Sequence, residues 1–583
     1  MYAIDTLINQ YSKERKLSKL HEKILRWILP RLFHEKEFIE FEKKYPSLKG
    51  IDCIDEILRY FEFRCESDSA DLENIPSHGT VIFIANHPTG SLDGLALLKM
   101  ISSVRPDVKT ISNRIFSHVK ALSDIFILVD NMGGQTQRSQ IREIHEHLRN
   151  KGALIVFPAG EVSRLTPKGI KDRRWNGGFV KLASRVHASI VPVHVKGRNS
   201  VLFYLLSMIY KPLSTYFLID EMFKQKGKSI KVRIGKRIPY EYWNNSKVSP
   251  AQIAKSLKKH VYQIGKGKKG HIKGEAPIAL PSERIALKSA LEKCEILGKT
   301  SDDKSIYLYK RGEEEAFSPI LHELGRLREI AFRAVGEGSG RRLDLDCYDN
   351  YYCHLILWDN HQLDIVGAYR FMPTDEYKNT KMLYSDTLFD YNENMSEILK
   401  QSIELGRSFI QPKYWGKKGL DYLWQGIGAY VAKNQKYRYL FGPVSISSSI
   451  PIAARDLLVA FYRLYFAPKN MIAASKRPYP STKLLALEKF NGNDYKNDMR
   501  ILKSMLNNMN CGIPTLYKQY SELCEEEGVQ FMDFGIDPDF NDCIDGLVFV
   551  DISMLKNSRY ERYIAPYLPK SSIGRKGQGK TAA

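Results

Sequence analysis

The sequence predicts an α/β protein of two domains, on three observations. Apolar, strand-like runs alternate with helical patterns from about residue 77 to 240, the layout of a sheet with covering helices. A Gly/Lys-rich stretch without periodicity, Gly265 to Gly274, then interrupts the pattern as a solvated linker would. Beyond it a different succession of strands and helices begins, with no internal repeat relating the halves. A chain of 583 residues has room for two sizeable cores.

In order, residues 1–50 read as a helical, charged segment. The first domain, 51–264, holds strand-like runs at Val81–Ala85, Ile125–Val129, Leu154–Phe157, Ile190–Val195 and Ile230–Ile234. Residues 265–280 form the basic Gly/Lys linker. The second domain, 281–570, opens with a strand at Ile306–Tyr309. Ser318 and Pro319 then suit the N-cap and first position of a helix whose apolar face is Ile320, Leu324, Leu327 and Ile330. Strands follow at His354–Trp358 and Ile365–Phe371, and residues about 490–567 continue the domain with no chemistry assigned. The tail, 571–583, is basic and expected to be disordered.

The hydrophobic and charged fractions, 43% and 26%, are those of an ordinary globular protein. The formal net charge of +22 is not, and it favours a polyanionic partner. No zinc-finger spacing, basic zipper or RNA-recognition signature is present, so nucleic acid is set aside in favour of an anionic membrane or an acidic carrier protein. The eight scattered cysteines read as reduced thiols, and the N-terminus is no signal peptide. Val201–Tyr210 and Leu213–Ile219 are apolar but too short to span a bilayer; a broken hairpin at the interface and an internal core helix remain open. Trp27, Ile28, Leu29, Leu32 and Phe33, flanked by Arg26 and Arg31, form another basic-amphipathic candidate. The fourteen histidines form no H-x-x-x-H pair, so no metal is expected.

The most informative stretch runs from Val81 to Gly94. An apolar strand ends at His87, and a short Gly-containing loop leads to Asp93 in the first turn of a helix. A histidine oriented by that carboxylate suits abstraction of a proton from a substrate hydroxyl. The plainer alternative is a helix start capped by Ser91. Downstream stand Asn113-Arg114-Ile115-Phe116, then Leu154 to Arg164, including Phe157-Pro158-Ala159-Gly160-Glu161, then Ile190-Val191-Pro192-Val193. In order and spacing these resemble the four blocks of the glycerolipid acyltransferases, over roughly residues 50–270. The resemblance implies a catalytic His87 and Asp93, with Arg114, Phe157, Pro158, Gly160, Glu161 and Arg164 on the acceptor's polar part or the donor phosphates. Five residues rather than the family's usual four separate His87 from Asp93, and Ala159 stands where the family has glutamate. Those departures point away from glycerol phosphate and toward the branch that O-acylates lyso-aminolipids.

In the second half, Phe332 to Gly338 is rejected as a dinucleotide fingerprint because no strand precedes its glycines. The succession Asp344 to Asp349, Ile365 to Phe371, Ile403 to Ile410 and Tyr414 to Leu420 resembles the GNAT-related ornithine lipid N-acyltransferases, and more distantly the acyl-homoserine-lactone synthases. N-acylation needs a deprotonated amine, a clamped carboxylate and a stabilised oxyanion. Glu404, Asp346 and Asp349 are the candidate amine-binding or base residues, and Arg333, Arg370 and Arg407 the candidate carboxylate clamps. The resemblance assigns Gly416, Lys417, Lys418 and Gly419 to the donor's phosphopantetheine arm, a task that backbone N–H groups at a helix start suit.

Together the halves resemble the fused, bifunctional ornithine lipid synthases: a glycerolipid-acyltransferase-like α/β sheet followed by a GNAT-like mixed α/β domain. The resemblance implies N-acylation of ornithine with a 3-hydroxyacyl group by the C-terminal half, then O-acylation of the 3-hydroxyl by the N-terminal half. No bound cofactor is implied; the donor is acyl carrier protein, or coenzyme A. The implied location is cytoplasmic, peripheral on the inner face of a bacterial inner membrane. Glycine, lysine or another amino acid stays open as acceptor, as does a phospholipid acyltransferase with a regulatory C-terminal module. A non-catalytic binder that uses its charge alone is the reading from another class.

Overall fold

The computed structural model describes residues 34–113, 120–129, 138–167, 169–209, 217–244, 248–312, 317–375, 382–480 and 489–568. Two compact units meet between Pro277 and Ile278.

The first unit is built on seven strands: β1 (Arg64–Glu66), β2 (Val81–Ala85), β3 (Lys109–Asn113), β4 (Phe126–Val129), β5 (Ala153–Val156), β8 (Ser189–Lys196) and β9 (Ser229–Ile234). A hairpin of β6 (Arg164–Thr166) and β7 (Gly169–Lys171) stands apart from them. Their order is β1-β9-β8-β2-β5-β3-β4, parallel except for the antiparallel β8/β9 pair. The central β2 reads V-I-F-I-A because it is buried on both faces. Val81, Phe83 and Ala85 join one core; Ile82 and Ile84 join the opposite one. The helix Leu92–Ser102 follows β2 and buries Leu92, Ala96, Leu97 and Ile101.

The Gly/Lys stretch is not the free linker its composition suggests. It packs on the first unit: Ile272 N–H donates to His260 Nδ1 (3.1 Å) and Glu275 N–H to the Arg237 carbonyl (2.7 Å). Glycine is required at 270 by close approach, since a Cβ there would lie 2.0 Å from the His260 ring.

The second unit carries an eight-stranded sheet. Its strands are β10 (Glu295–Lys299), β11 (Lys304–Lys310), β12 (Cys353–Asp359), β13 (Asp364–Pro373), β15 (Ser402–Ile410), β16 (Tyr439–Ile446), β18 (Val529–Asp537) and β19 (Cys543–Asp551). A small pair, β14 (Phe389–Tyr391) with β17 (Ala473–Ser475), flanks them. The order is β10-β11-β12-β13-β15-β16-β19-β18, antiparallel except for β15/β16. Residues 490–567, opaque in sequence, thus supply the last two strands. The helix Pro319–Ala334, capped by the Ser318 hydroxyl, covers one face, and Gly419–Lys433 covers the other.

Two irregularities shape this sheet. β15 and β16 pair only from Ser402 to Glu404 against Tyr439 to Phe441, then part. Where they part, Arg407 has φ 46° and the β13/β15 register shifts, so a bulge re-aims its side chain.

Candidate active sites

In the first unit, β2 delivers His87 to the sheet's edge and the following helix delivers Asp93. His87 Nδ1 lies 3.0 Å from Asp93 Oδ2. The loop is tailored to the carboxylate: Thr89 N–H donates to Oδ2, and Ser91 and Gly94 N–H donate to Oδ1, each at 3.0 Å. Asp93 is fully buried; burial alone would raise its pKa, but His87 and the Thr89 donors hold it far below the usual carboxylate range. Burial likewise opposes charge on His87, and is outweighed by Asp93 and Asp172, so its pKa stands above 6.5. An ionised Asp93 accepts the hydrogen bond from Nδ1–H, which leaves the Nε2 lone pair for a substrate proton. The Phe157 ring stacks on the imidazole at 4.2 Å.

Gly90, at φ 83°, makes the turn between the pair, and a Cβ there would strike Val162 at 2.1 Å. Ser91 makes no side-chain capping bond, so the helix start serves Asp93 rather than an ordinary cap. Asp172, which sequence reasoning missed, braces the histidine loop. Its Oδ1 accepts from His87 N–H (3.4 Å) and the Ser163 hydroxyl (2.5 Å), and its Oδ2 from Trp175 Nε1 (2.8 Å). Nothing in its spacing announces it. Asn86 bonds both backbone groups of Val195 at 2.8 Å, tying the end of β2 to β8.

Of the acceptor candidates, Arg164 is buried, 3.7 Å from Glu161 and 5.2 Å above the Phe203 ring. Pro158 accepts from Asn176 N–H (2.9 Å), and Gly160 closes a turn onto the Phe157 carbonyl (3.0 Å). Arg114 lies outside the described residues. The Val201–Ile209 helix buries Phe203 and Tyr204 but exposes Val201, Leu202, Leu205 and Met208.

The second unit gathers a different set. Glu404, 1% exposed on β15, accepts from the Tyr352 hydroxyl, from Ser385 N–H (2.7 Å) and from Tyr384 N–H (3.3 Å). Burial outweighs these bonds and raises its pKa, as a base for an ammonium proton requires. Arg370 pairs with Asp346 and, at 3.2 Å, with Asp349; Arg407 reaches Asp346 (3.3 Å) and Asp344 (3.5 Å). Asp346 and Asp349 also cap one another's turn, so both are anchored as much as they are offered to substrate.

Arg333 does not join this group. Its Nε donates to Glu329 (2.6 Å) and its Nη2 to the Arg341 carbonyl (2.8 Å), which holds the loop after its helix. Arg328, on the same helix, does join it: it is fully buried and 2.6 Å from Asp349. The signal was legible, because Arg328 falls four residues after Leu324 on the helix's apolar face. Its Nη2 also meets His354 Nδ1 at 3.1 Å; burial and that cation push His354 down to about 3, leaving a neutral ring. Asp344, Tyr352 and Tyr384 were missed as well.

Gly416 (φ 74°) turns the chain after β15, and Lys418 precedes the first helical residue, Gly419, which packs on Ile410 and Val366. Among the described residues no cluster of His, Cys, Asp and Glu could hold a metal.

Known proteins match both units. An acyltransferase family model covers residues 12–269, and an acetyltransferase (GNAT) domain model covers 327–425. A lyso-glycine lipid O-acyltransferase of Phocaeicola vulgatus is 31% identical over 259 residues, 43% of this chain and 91% of the relative. A glycine N(alpha)-acyltransferase of the same organism is 31% identical over 247 residues, 38% of this chain and 76% of the relative. An L-ornithine N(alpha)-acyltransferase of Brucella abortus is 30% identical over 142 residues, 22% of this chain and 50% of the relative.

Proposed function

Since the chain belongs to the acyltransferases of aminolipid synthesis and joins an acyltransferase domain to a GNAT domain, we propose that it builds a diacylated aminolipid in two steps. The GNAT unit transfers a 3-hydroxyacyl group from acyl carrier protein, or coenzyme A, to the α-amine of ornithine. Glu404 takes the amine's proton, the arginines hold its carboxylate, and the Gly416–Gly419 turn receives the donor's arm. The product carries the hydroxyl that the first unit then acylates, so chemistry orders the steps.

In that second step His87 Nε2 removes the hydroxyl proton as the oxygen attacks the thioester carbonyl, and returns it to the departing thiolate. Asp93 stabilises the imidazolium in between. The observation that carries this reading is the His87–Asp93 contact of 3.0 Å with the aspartate fully buried and triply bonded by the loop. Glycine is the second reading for the acceptor, favoured by the two glycine-lipid relatives. A peripheral location on the inner face of an anionic membrane is supported by the net charge of +22 and the exposed apolar face of Val201–Ile209. Among the described residues no helix is long and apolar enough to cross a membrane.

The test is expression in a bacterial host lacking aminolipids, followed by mass spectrometry of its lipid extract. A diacylated ornithine lipid is expected, and His87→Ala should leave only the mono-acylated species, an O-acylation loss of about 10²–10⁴-fold. A glycine species would change the head group and keep the mechanism. Absence of any new aminolipid, with expression verified, would refute the two-step reading and leave a phospholipid acyltransferase.

A further inference from the structure

The N-acylation reading names no residue that distinguishes one amino acid from another, and the second unit contains a group that does. Arg370 and Gly406 are register partners, as are Met372 and Glu404, Glu404 and Phe441, and Ser445 and Asp545. Period-2 alternation therefore sets Arg370, Glu404, Gly406, Ser445, Cys543, Asp545 and Asp537 on one face across β13, β15, β16, β19 and β18. A Cβ at Gly406 would meet nothing within 4 Å, so this face is open beside Arg370 and Glu404.

At the far end stand three carboxyls. Asp537 and Asp545 are 2% and 5% exposed; Glu337, 9% exposed, accepts from the Ser445 hydroxyl at 3.1 Å. Asp344, Asp346 and Asp349 have arginine partners, but among the described residues no cation lies within 4.0 Å of Glu337, Asp537 or Asp545. Among the described residues the hydrogen-bond partner of the Asp545 carboxyl is the Cys543 thiol, at 3.8 Å, while Arg407 offsets part of its burial without pairing with it. Burial raises Glu337 to about 7 and Asp545 well above its ordinary range.

Independently, Arg370 is 1% exposed with Nε and Nη2 unpaired, two donors left for an anion. Its guanidinium sits 5.4 Å from the Tyr384 ring, whose hydroxyl reaches Asp537 at 3.3 Å. Tyr384 thus links the cationic end to the acidic one. Arg370 on β13 and Asp545 on β19 stand on either side of the point where β15 and β16 part, a separation that suits a long acceptor rather than glycine.

We infer that Glu337, Asp537 and Asp545 bind the side-chain ammonium of a dibasic amino acid whose carboxylate is held by Arg370. This rests on the amino-acid N-acylation reading. The experiment compares L-ornithine, L-norvaline (the same carbon chain without the second amine) and glycine as acceptors for the full-length protein with 3-hydroxyhexadecanoyl-acyl carrier protein. Ornithine should exceed norvaline and glycine at least thirtyfold in kcat/KM, mainly through KM. Asp545→Asn with Glu337→Gln should shrink the ornithine-to-norvaline ratio at least tenfold. Equal use of ornithine and norvaline, preference for glycine, or an unchanged ratio in the variant would overturn the inference while leaving N-acylation standing. No N-acylated product from any acceptor would overturn both.

Discussion

His87 sits where burial and a carboxylate pull in opposite directions, and the carboxylate prevails. The sign for catalysis follows: the base must be neutral, so O-acylation should fall on the acid side with a midpoint above 6.5. Asp93→Asn should lower both the midpoint and the rate; an acid limb centred below 6.5 in the native protein would contradict the assignment. For stability the sign is opposite, because a raised histidine stabilises the fold below its ordinary value and that contribution is lost as pH rises through the folded one. Gly90 gives a steric test of the same loop. At φ 83°, with Val162 2.1 Å from an added Cβ, Gly90→Ala should cost roughly 1–3 kcal/mol of stability and cut O-acylation at least tenfold. Thermal unfolding and a lyso-lipid assay would check it, and a silent substitution would mean the turn does not set the dyad.

At the scale of elements, the helix Val201–Ile209 resolves an ambiguity that composition left open. Its apolar residues encircle it, which is equally the pattern of a core helix and of one at an interface. The structure divides them: Phe203 and Tyr204 are buried beside Arg164, while Val201 is 75% and Met208 68% exposed. Leu205→Glu with Met208→Glu should therefore reduce cosedimentation with vesicles of anionic lipid at least tenfold and spare binding of the amino-acid acceptor. Unchanged cosedimentation would remove this helix from any membrane contact. β15 shows the same division of labour. Its residues Ile403 to Ile410 entered by resemblance, and the bulge at Arg407 was not legible, because a left-handed arginine leaves no trace in hydrophobic period.

Across the molecule, two units with separate cores make unfolding in more than one transition the expectation. Glu337 marks the second. A folded value of about 7 against an ordinary 4.5 costs about 3 kcal/mol once the carboxyl ionises, at 1.36 kcal/mol per unit. The cost is absent below 4.5 and complete above about 7. Glu337→Gln should accordingly raise the midpoint of one calorimetric transition at pH 8 and leave it unchanged near pH 4.5. A shift of equal size at both pH values would mean that Glu337 is not ionised against its surroundings.

Sequence by itself determined the two-domain α/β organisation, the placement of β2 and the His87-to-Asp93 loop, whereas Glu404, Arg370 and Arg407 became candidates through resemblance to the N-acyltransferases. The former are local features: an apolar run, a turn and a short spacing carry their own physical meaning. Only tertiary structure set Arg333 apart from the Arg370 group, added Asp172 behind the histidine loop, and folded the Gly/Lys stretch onto the first unit. It alone brought Glu337, from the loop after the Pro319–Ala334 helix, to Asp537 and Asp545, some two hundred residues further along the chain. Register between distant strands decides which side chains share a face, and no spacing along the chain encodes it.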